Sequence, residues 1–357
     1  MSTKFREKEK SLHVEELIEG IEKLTPSLKI IEDEIDRLNI QELAPHEKHQ
    51  IIRNMERVWY LIKLLKLLQS FFKEKMGFGG DSVLNYLFLS RKYNEVPRFT
   101  FDLNASWRER VEMKRTLLKE FLEFNKHLAV ERESLELPVT DDKTIYLYTV
   151  EYDSEKDFFP DFLSLRYPIL SRWSGEEFYK YARRITGLNM DYAVIDALRR
   201  IFASTLGVSN ARIDYIRFEV SIGYEYPVRR ESIELPFNLG RVEINVTELE
   251  YQLASKIANR VGKDFGEHLP YVLPDILKAA TDLRLLRYTD LEKVKTYAEE
   301  ISGESFQELV IVADKNLSIL LEKGRRYWSS HLYLLIRQRV SIEDLVKELR
   351  ELMNSML

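Results

Sequence analysis

Along residues 11–40 the apolar positions recur every three to four residues: Leu17, Ile18, Ile21 and Leu24, then Leu28, Ile31, Ile35 and Leu38. That period marks one face of an α-helix, and Pro26 between the two sets predicts two helices rather than one. Ala44-Pro45 opens a new element. From Glu47 to Lys75 the apolar residues crowd round the whole helical circumference, with MERVWYLIKLLKLLQSFFKEK over 55–75. A helix apolar on all sides is predicted to lie inside the molecule. GFGGDS (77–82) ends it in a turn, and the short apolar segment VLNYLFL (83–89) follows. Residues 98–103 alternate like a strand, and 107–133 return to a charged amphipathic helix.

Further along, the pattern changes. TIYLYTVEY (144–152), DFLSLRYPIL (161–170) and DYIRFEVSIGYEY (214–226) are rich in aromatic and β-branched residues with partial alternation, which predicts strands. A helical insert of about 174–206 separates the second from the third, and a short strand is predicted at 241–246. Helices are then predicted at 247–260, 271–287, 290–301, 304–323 and 341–356. Thr247 with Glu250 has capping-box spacing, and Ser341 with Asp344 opens the last helix in a similar way. The expected fold is α+β: a mixed β-sheet flanked by helices. Its parts are a helical N-terminal arm (1–46), an α/β core (47–246) carrying the insert, and a helical C-terminal region (247–357).

Composition narrows the function classes. A formal net charge of −5 gives no global basic signature for nucleic acid or membrane. The chain has no cysteine, which excludes disulfides, thiolate metal sites and thiol nucleophiles and fits a reducing, cytoplasmic setting. Lys63 and Lys66 interrupt the most apolar run, so no membrane span is expected, and the charged start MSTKFREKEKS does not read as a secretory signal. P-loop and nucleophile-elbow motifs are missing from the sequence, and none of the six histidines forms a convincing metal pair.

Four places carry candidate chemistry. Gly79-Gly80 ahead of an apolar helix can turn backbone amides towards an anion, or can simply turn the chain. Asp102 and Asn104, two apart on a strand, share a face and offer oxygen ligands to a divalent cation. Glu219 is an acid inside the apolar strand IRFEVS, costly to bury unless paired or metal-bound, with Arg217 on its face as a possible partner. Lys256, Arg260, Lys278 and Asp282 lie on predicted helices, with Lys263 and Asp264 just beyond the first; such residues usually form a solvated face or i,i+4 pairs, and Lys278 and Asp282 have that spacing.

In order, these pieces resemble the AbiEii family of nucleotidyltransferase-fold proteins, the toxin half of type IV toxin–antitoxin and abortive-infection systems. The matching residues are Phe78-Gly79-Gly80-Asp81, then Arg98-Phe99-Thr100-Phe101-Asp102-Leu103-Asn104, IRFEVS (216–221), ELEYQLASKIANR (248–260) and, more loosely, KAATDLRLLRYTDLEKV (278–294). The resemblance covers roughly 50–120 and 214–300. It implies transfer of a nucleoside monophosphate from an NTP to a hydroxyl on RNA, such as tRNA, or on protein, with Mg²⁺ or Mn²⁺. Asp102, Asn104 and Glu219 would be the catalytic, metal-holding residues. Gly79, Gly80 and Ser82 would meet the phosphates, with Arg98, Lys256, Lys278 and Asp282 as further nucleotide contacts, and a cognate antitoxin is an implied partner.

The chain departs from the family pattern at Asp81 (Thr or Ser expected), Asn104 (an acid expected), Ala279 (Asp expected) and Arg217 (Lys expected). The first three weaken the usual chemistry. They leave open a second expectation, a catalytically degenerate relative that keeps the fold as a binding or interaction module.

Overall fold

In the computed structural model, residues 3–40, 44–111, 113–140, 143–172, 192–209, 211–223 and 226–357 are described. Nine strands are found among them: β1 Met76–Gly79, β2 Asp102–Trp107, β3 Leu135–Thr140, β4 Lys143–Leu147, β5 Glu151–Tyr152, β6 Phe162–Ser171, β7 Arg212–Ile222, β8 Val228–Glu234 and β9 Arg241–Thr247. Seven of them form one mixed sheet in the order β5-β6-β7-β2-β1-β9-β8, while β3 and β4 pair as a separate two-stranded sheet. Within the large sheet, β2 runs parallel to β7 and β1 parallel to β9; the other pairs are antiparallel.

Alternation along β2 and β7 gives the sheet two unlike faces. Leu103, Ala105 and Trp107 on β2, and Ile216, Phe218 and Val220 on β7, point into the core and are buried. The long helix Pro45–Phe72 packs against this sheet, touching β2, β6, β7 and β9. Phe72 meets Trp107 edge-on at 5.3 Å, and Phe121 of the helix Lys114–Val130 meets Phe218 at 5.7 Å. The other face carries Asp102, Asn104, Arg217 and Glu219, all only partly buried. Helices of the C-terminal region cover one end of that face.

The arm folds as two helices, Thr3–Leu24 and Leu28–Arg37, with Ser27 capping the second by accepting from the Ile30 amide. Leu17, Ile21, Leu24 and Ile31 belong to the common core, so the arm covers the body of the molecule. Further helices run over Leu249–Lys256, Leu269–Asp282, Leu291–Ser302, Phe306–Lys323 and Ile342–Asn354. Ser341 caps the last of these by accepting from the Asp344 amide.

Several local expectations need correction. The start of the turn expected at 77–82 belongs instead to an interior strand, Met76–Gly79, because its neighbours β2 and β9 supply ladder partners that no local pattern reveals. The strand expected at 98–103 starts at Asp102 instead and continues to Trp107. The stretch 144–152 divides between β4 and β5, in different sheets, and strands β3 and β8 were not anticipated. Thr247 ends β9 rather than capping a helix; the N-cap is Glu248, whose side chain makes no capping bond. Of the helical insert, Tyr192–Thr205 is a helix, and the part at 174–191 lies outside the described residues.

Candidate functional site

The four-residue β1 places Gly79 beside Asn104 of β2, and the parallel pairing of β2 with β7 places Asn104 opposite Glu219. Asp102 lies opposite Arg217 in the same register. A backbone ladder thus sets three side chains of the expected metal set, two carboxylates and one amide, on one face of two adjacent strands. Above Asn104 and Glu219 opens a cavity of about 400 Å³. Gly79, Gly80, Asn104, Glu219 and Lys256 line it, as do Phe162, Tyr226, Thr247, Tyr251, Gln252, Ser255 and Arg260. Among the described residues no group of three His, Asp or Glu side chains is placed to hold a metal.

Glu219 is half-buried, and desolvation raises the proton affinity of its carboxyl; the charge of Arg217 opposes this, and nearby Asp102 adds to it. A hard divalent cation prefers oxygen donors, and the three side chains are all oxygen donors. The donor chemistry therefore fits Mg²⁺ or Mn²⁺, with one negative charge fewer than three acids would bring.

Gly80 has φ +76°, and a Cβ there would come within 2.7 Å of Asn104 Nδ2. At Gly79 a Cβ would lie 3.0 Å from Thr247 Oγ1. The left-handed backbone at Gly80 favours glycine, and at Gly79 the approach of Thr247 leaves little room for a side chain. The helical segment that follows is not the ordinary helix expected. Gly80–Ser82 makes a single turn, and Val83–Lys92 continues it with π-type bonding. The Gly80 amide does not face an open site either, because it donates to Gln252 Oε1 at 2.8 Å. Ser82 is fully buried, and its hydroxyl donates to the Asp102 carbonyl, so it is not presented to the cavity.

Asp81 sits in a compact ionic cluster. Its carboxylate accepts from Arg98 Nη2 and, at 2.6 Å, from Lys256 Nζ. Asp282, wholly buried, lies 3.0 Å from Arg98 Nη2 and 2.9 Å from Lys256 Nζ. Asn85 donates to Asp282 Oδ1 at 2.7 Å and accepts from the Arg98 amide at 3.0 Å. Two carboxylates therefore balance two cations. Burial opposes ionisation of Asp81, but Arg98 and Lys256 outweigh it and hold the carboxyl far below its usual range. For Lys256, burial likewise works against the charge, and Asp282 and Asp81 more than offset it, raising its proton affinity.

Of the residues expected to meet a nucleotide, Arg98 and Asp282 are thus engaged inside the protein. Lys278 pairs with Asp275 at 2.9 Å rather than with Asp282, which the ionic cluster claims. Lys278 instead lines a second cavity, of about 440 Å³, together with Asp81, Ser255, Lys256, Asn259, Arg260, Lys263, Asp275 and Ala279. The two cavities share Ser255, Lys256 and Arg260.

Sequence reasoning missed Gln252, Ser255, Thr247, Tyr226, Tyr251 and Phe162. A signal existed for the first two: Gln252, Ser255, Lys256, Asn259, Arg260 and Lys263 follow one another at helical spacing as a polar stripe. A π-type stretch, Ile257–Val261, interrupts the helix in that stripe. Such stretches often accompany functional sites. No helix among the described residues is long and apolar enough to cross a membrane. No protein-family model matches the chain, and a comparison with curated proteins gives no match.

Proposed function

We propose that the chain is a nucleotidyltransferase-fold protein of AbiEii type that takes an NTP and a divalent cation in the cavity over Asn104 and Glu219. The observation carrying this reading is the register of Asn104 against Glu219 on the floor of a cavity rimmed by Gly79, Gly80 and Lys256. Asp102, Asn104 and Glu219 would hold Mg²⁺ or Mn²⁺, which supplies neutralisation of phosphate charge when bound. Lys256 and Arg260 bring positive charge to the lining of the cavity. In the reaction, an acceptor hydroxyl on RNA or protein bonds to the α-phosphorus and releases its proton to solvent. The bond to the bridging oxygen breaks, and pyrophosphate leaves with the electron pair. A cognate antitoxin is part of the same proposal.

The second reading, a catalytically degenerate binding module, is favoured by the internal partners already held by the phosphate-facing groups: Asp81 on Arg98 and Lys256, and Gln252 on the Gly80 amide. Incubation with each α-labelled NTP, Mg²⁺ or Mn²⁺, and RNA or protein acceptors separates the two. Label transfer that Asp102→Ala abolishes without unfolding supports the enzyme. Absence of transfer from all four NTPs, with a biological effect that survives Asp102→Ala, supports the module.

A further inference from the structure

The ionic cluster under the glycine turn contains a carboxylate that a ligand phosphate could replace. Arg98 is almost wholly buried and points its guanidinium at two carboxylates rather than one. Asp282 is inaccessible and tied additionally by Asn85. Asp81 differs: its side chain keeps 29% of its exposure and borders the second cavity, alongside Lys256, Arg260, Lys263 and Lys278. One anion of the cluster is therefore fixed from behind, while the other borders a cavity lined by several cations. A carboxylate and a phosphate ester present similar acceptor oxygens to a guanidinium, and a phosphate brings one more oxygen and up to one more charge. Gln252 plays a parallel part at the neighbouring Gly80 amide, where its Oε1 accepts the bond that a phosphate oxygen would otherwise take.

Given the reading of the pocket as a nucleotide site, on which this rests, we propose that Asp81 is a built-in counter-anion seated on Arg98 and Lys256 in the place of a ligand phosphate. A polyphosphate must displace it to bind. Asp81 then determines how strongly the site accepts polyphosphate, and through that which ligands it holds. Removal of the carboxylate leaves two cations facing one anion, an arrangement that attracts an anion from the cavity. The seat does not open on mild acidification, because the two cations keep Asp81 ionised. Displacement has to come from the ligand.

Inorganic pyrophosphate tests this without any nucleotide, so the outcome is independent of whether the protein transfers NMP. Wild type, Asp81→Ser and the isosteric Asp81→Asn are titrated by calorimetry, with thermal unfolding followed in parallel. The expected result is at least a tenfold gain in pyrophosphate affinity over wild type in the folded variants. Lys256→Met in the Asp81→Ser background should remove that gain. If Asp81→Ser is unfolded in plain buffer, refolding on addition of pyrophosphate supports the proposal equally. Affinity equal to or below wild type in Asp81→Asn overturns it, as does a gain that survives Lys256→Met. Failure of NTP transfer alongside a pyrophosphate gain would sink the enzymatic reading and leave the anion seat standing.

Discussion

At Gly80 the backbone sits at φ +76°, and a side chain would meet Asn104 Nδ2 at 2.7 Å. Gly80→Ala should therefore cost about 1–2 kcal/mol from the left-handed backbone alone, before the clash is counted. Urea unfolding measures that loss, and a neutral outcome would show that the turn can relax. Glu219 permits a prediction of opposite sign. Its folded-state carboxyl has a raised proton affinity, so its favourable contribution is complete below the ordinary value of 4.5 and is lost as pH rises through the folded-state value. Above that point the native protein carries a partly desolvated charge. Glu219→Gln should accordingly raise the unfolding temperature at neutral pH in metal-free buffer, and the gain should vanish towards pH 4. A gain that is constant across pH would show that burial of the charge is not the cause. Gly80, Asn104 and Glu219 could all be singled out from sequence, because glycine pairs and acids in apolar strands stand out locally. The pairing of Asp81 with Arg98 and Lys256 could not be read there. The two cations come from distant parts of the chain, and only tertiary contact brings them between Asp81 and Asp282.

Among the elements, β2 and β7 matter most for the site, since their parallel register fixes which side chains share the floor of the cavity. Their opposite face is held by aromatic packing, with Phe218 fully buried against Phe121. Truncating Phe218→Ala should destabilise the fold by about 3–5 kcal/mol, read by chemical denaturation. Long elements with a clear period were legible: the helix Pro45–Phe72, the strands β6, β7 and β9, and the capped helix that begins after Ser341. Short elements were not. β1 has four residues, two of them glycine, and owes its strand conformation to ladders on both sides rather than to its own residues. The start of β2 shifted by four residues for a similar reason. Pro97–Phe101 alternates like a strand but makes no ladder pairing with the sheet, while Phe99 donates its amide to the Leu332 carbonyl. Two π-type stretches, Val83–Lys92 and Ile257–Val261, have no local signature and supply Asn85, Asn259 and Arg260 to the site or its border.

Across the molecule, the site is a meeting of two regions distant in sequence. The sheet brings the floor, Gly79, Asn104 and Glu219, with Asp102 on the same strand face but outside the cavity lining. Helices of the C-terminal region bring Gln252 and Lys256 to the cavity wall, and Lys256 pairs with both Asp81 and the buried Asp282. The net charge of −5 conceals a local concentration of cations at Lys256, Arg260, Lys263 and Lys278 on the wall of the second cavity. That separation of charge is what the proposed site would use, with a metal on carboxylates and phosphates on cations. Calorimetric titration of wild type and Asn104→Asp with each NTP, with and without Mg²⁺, tests this assignment most directly. The account predicts binding that requires Mg²⁺ and tightens about tenfold when the added carboxylate restores the third negative charge. Binding that is indifferent to Mg²⁺ in both proteins, or no NTP binding by either, would contradict it.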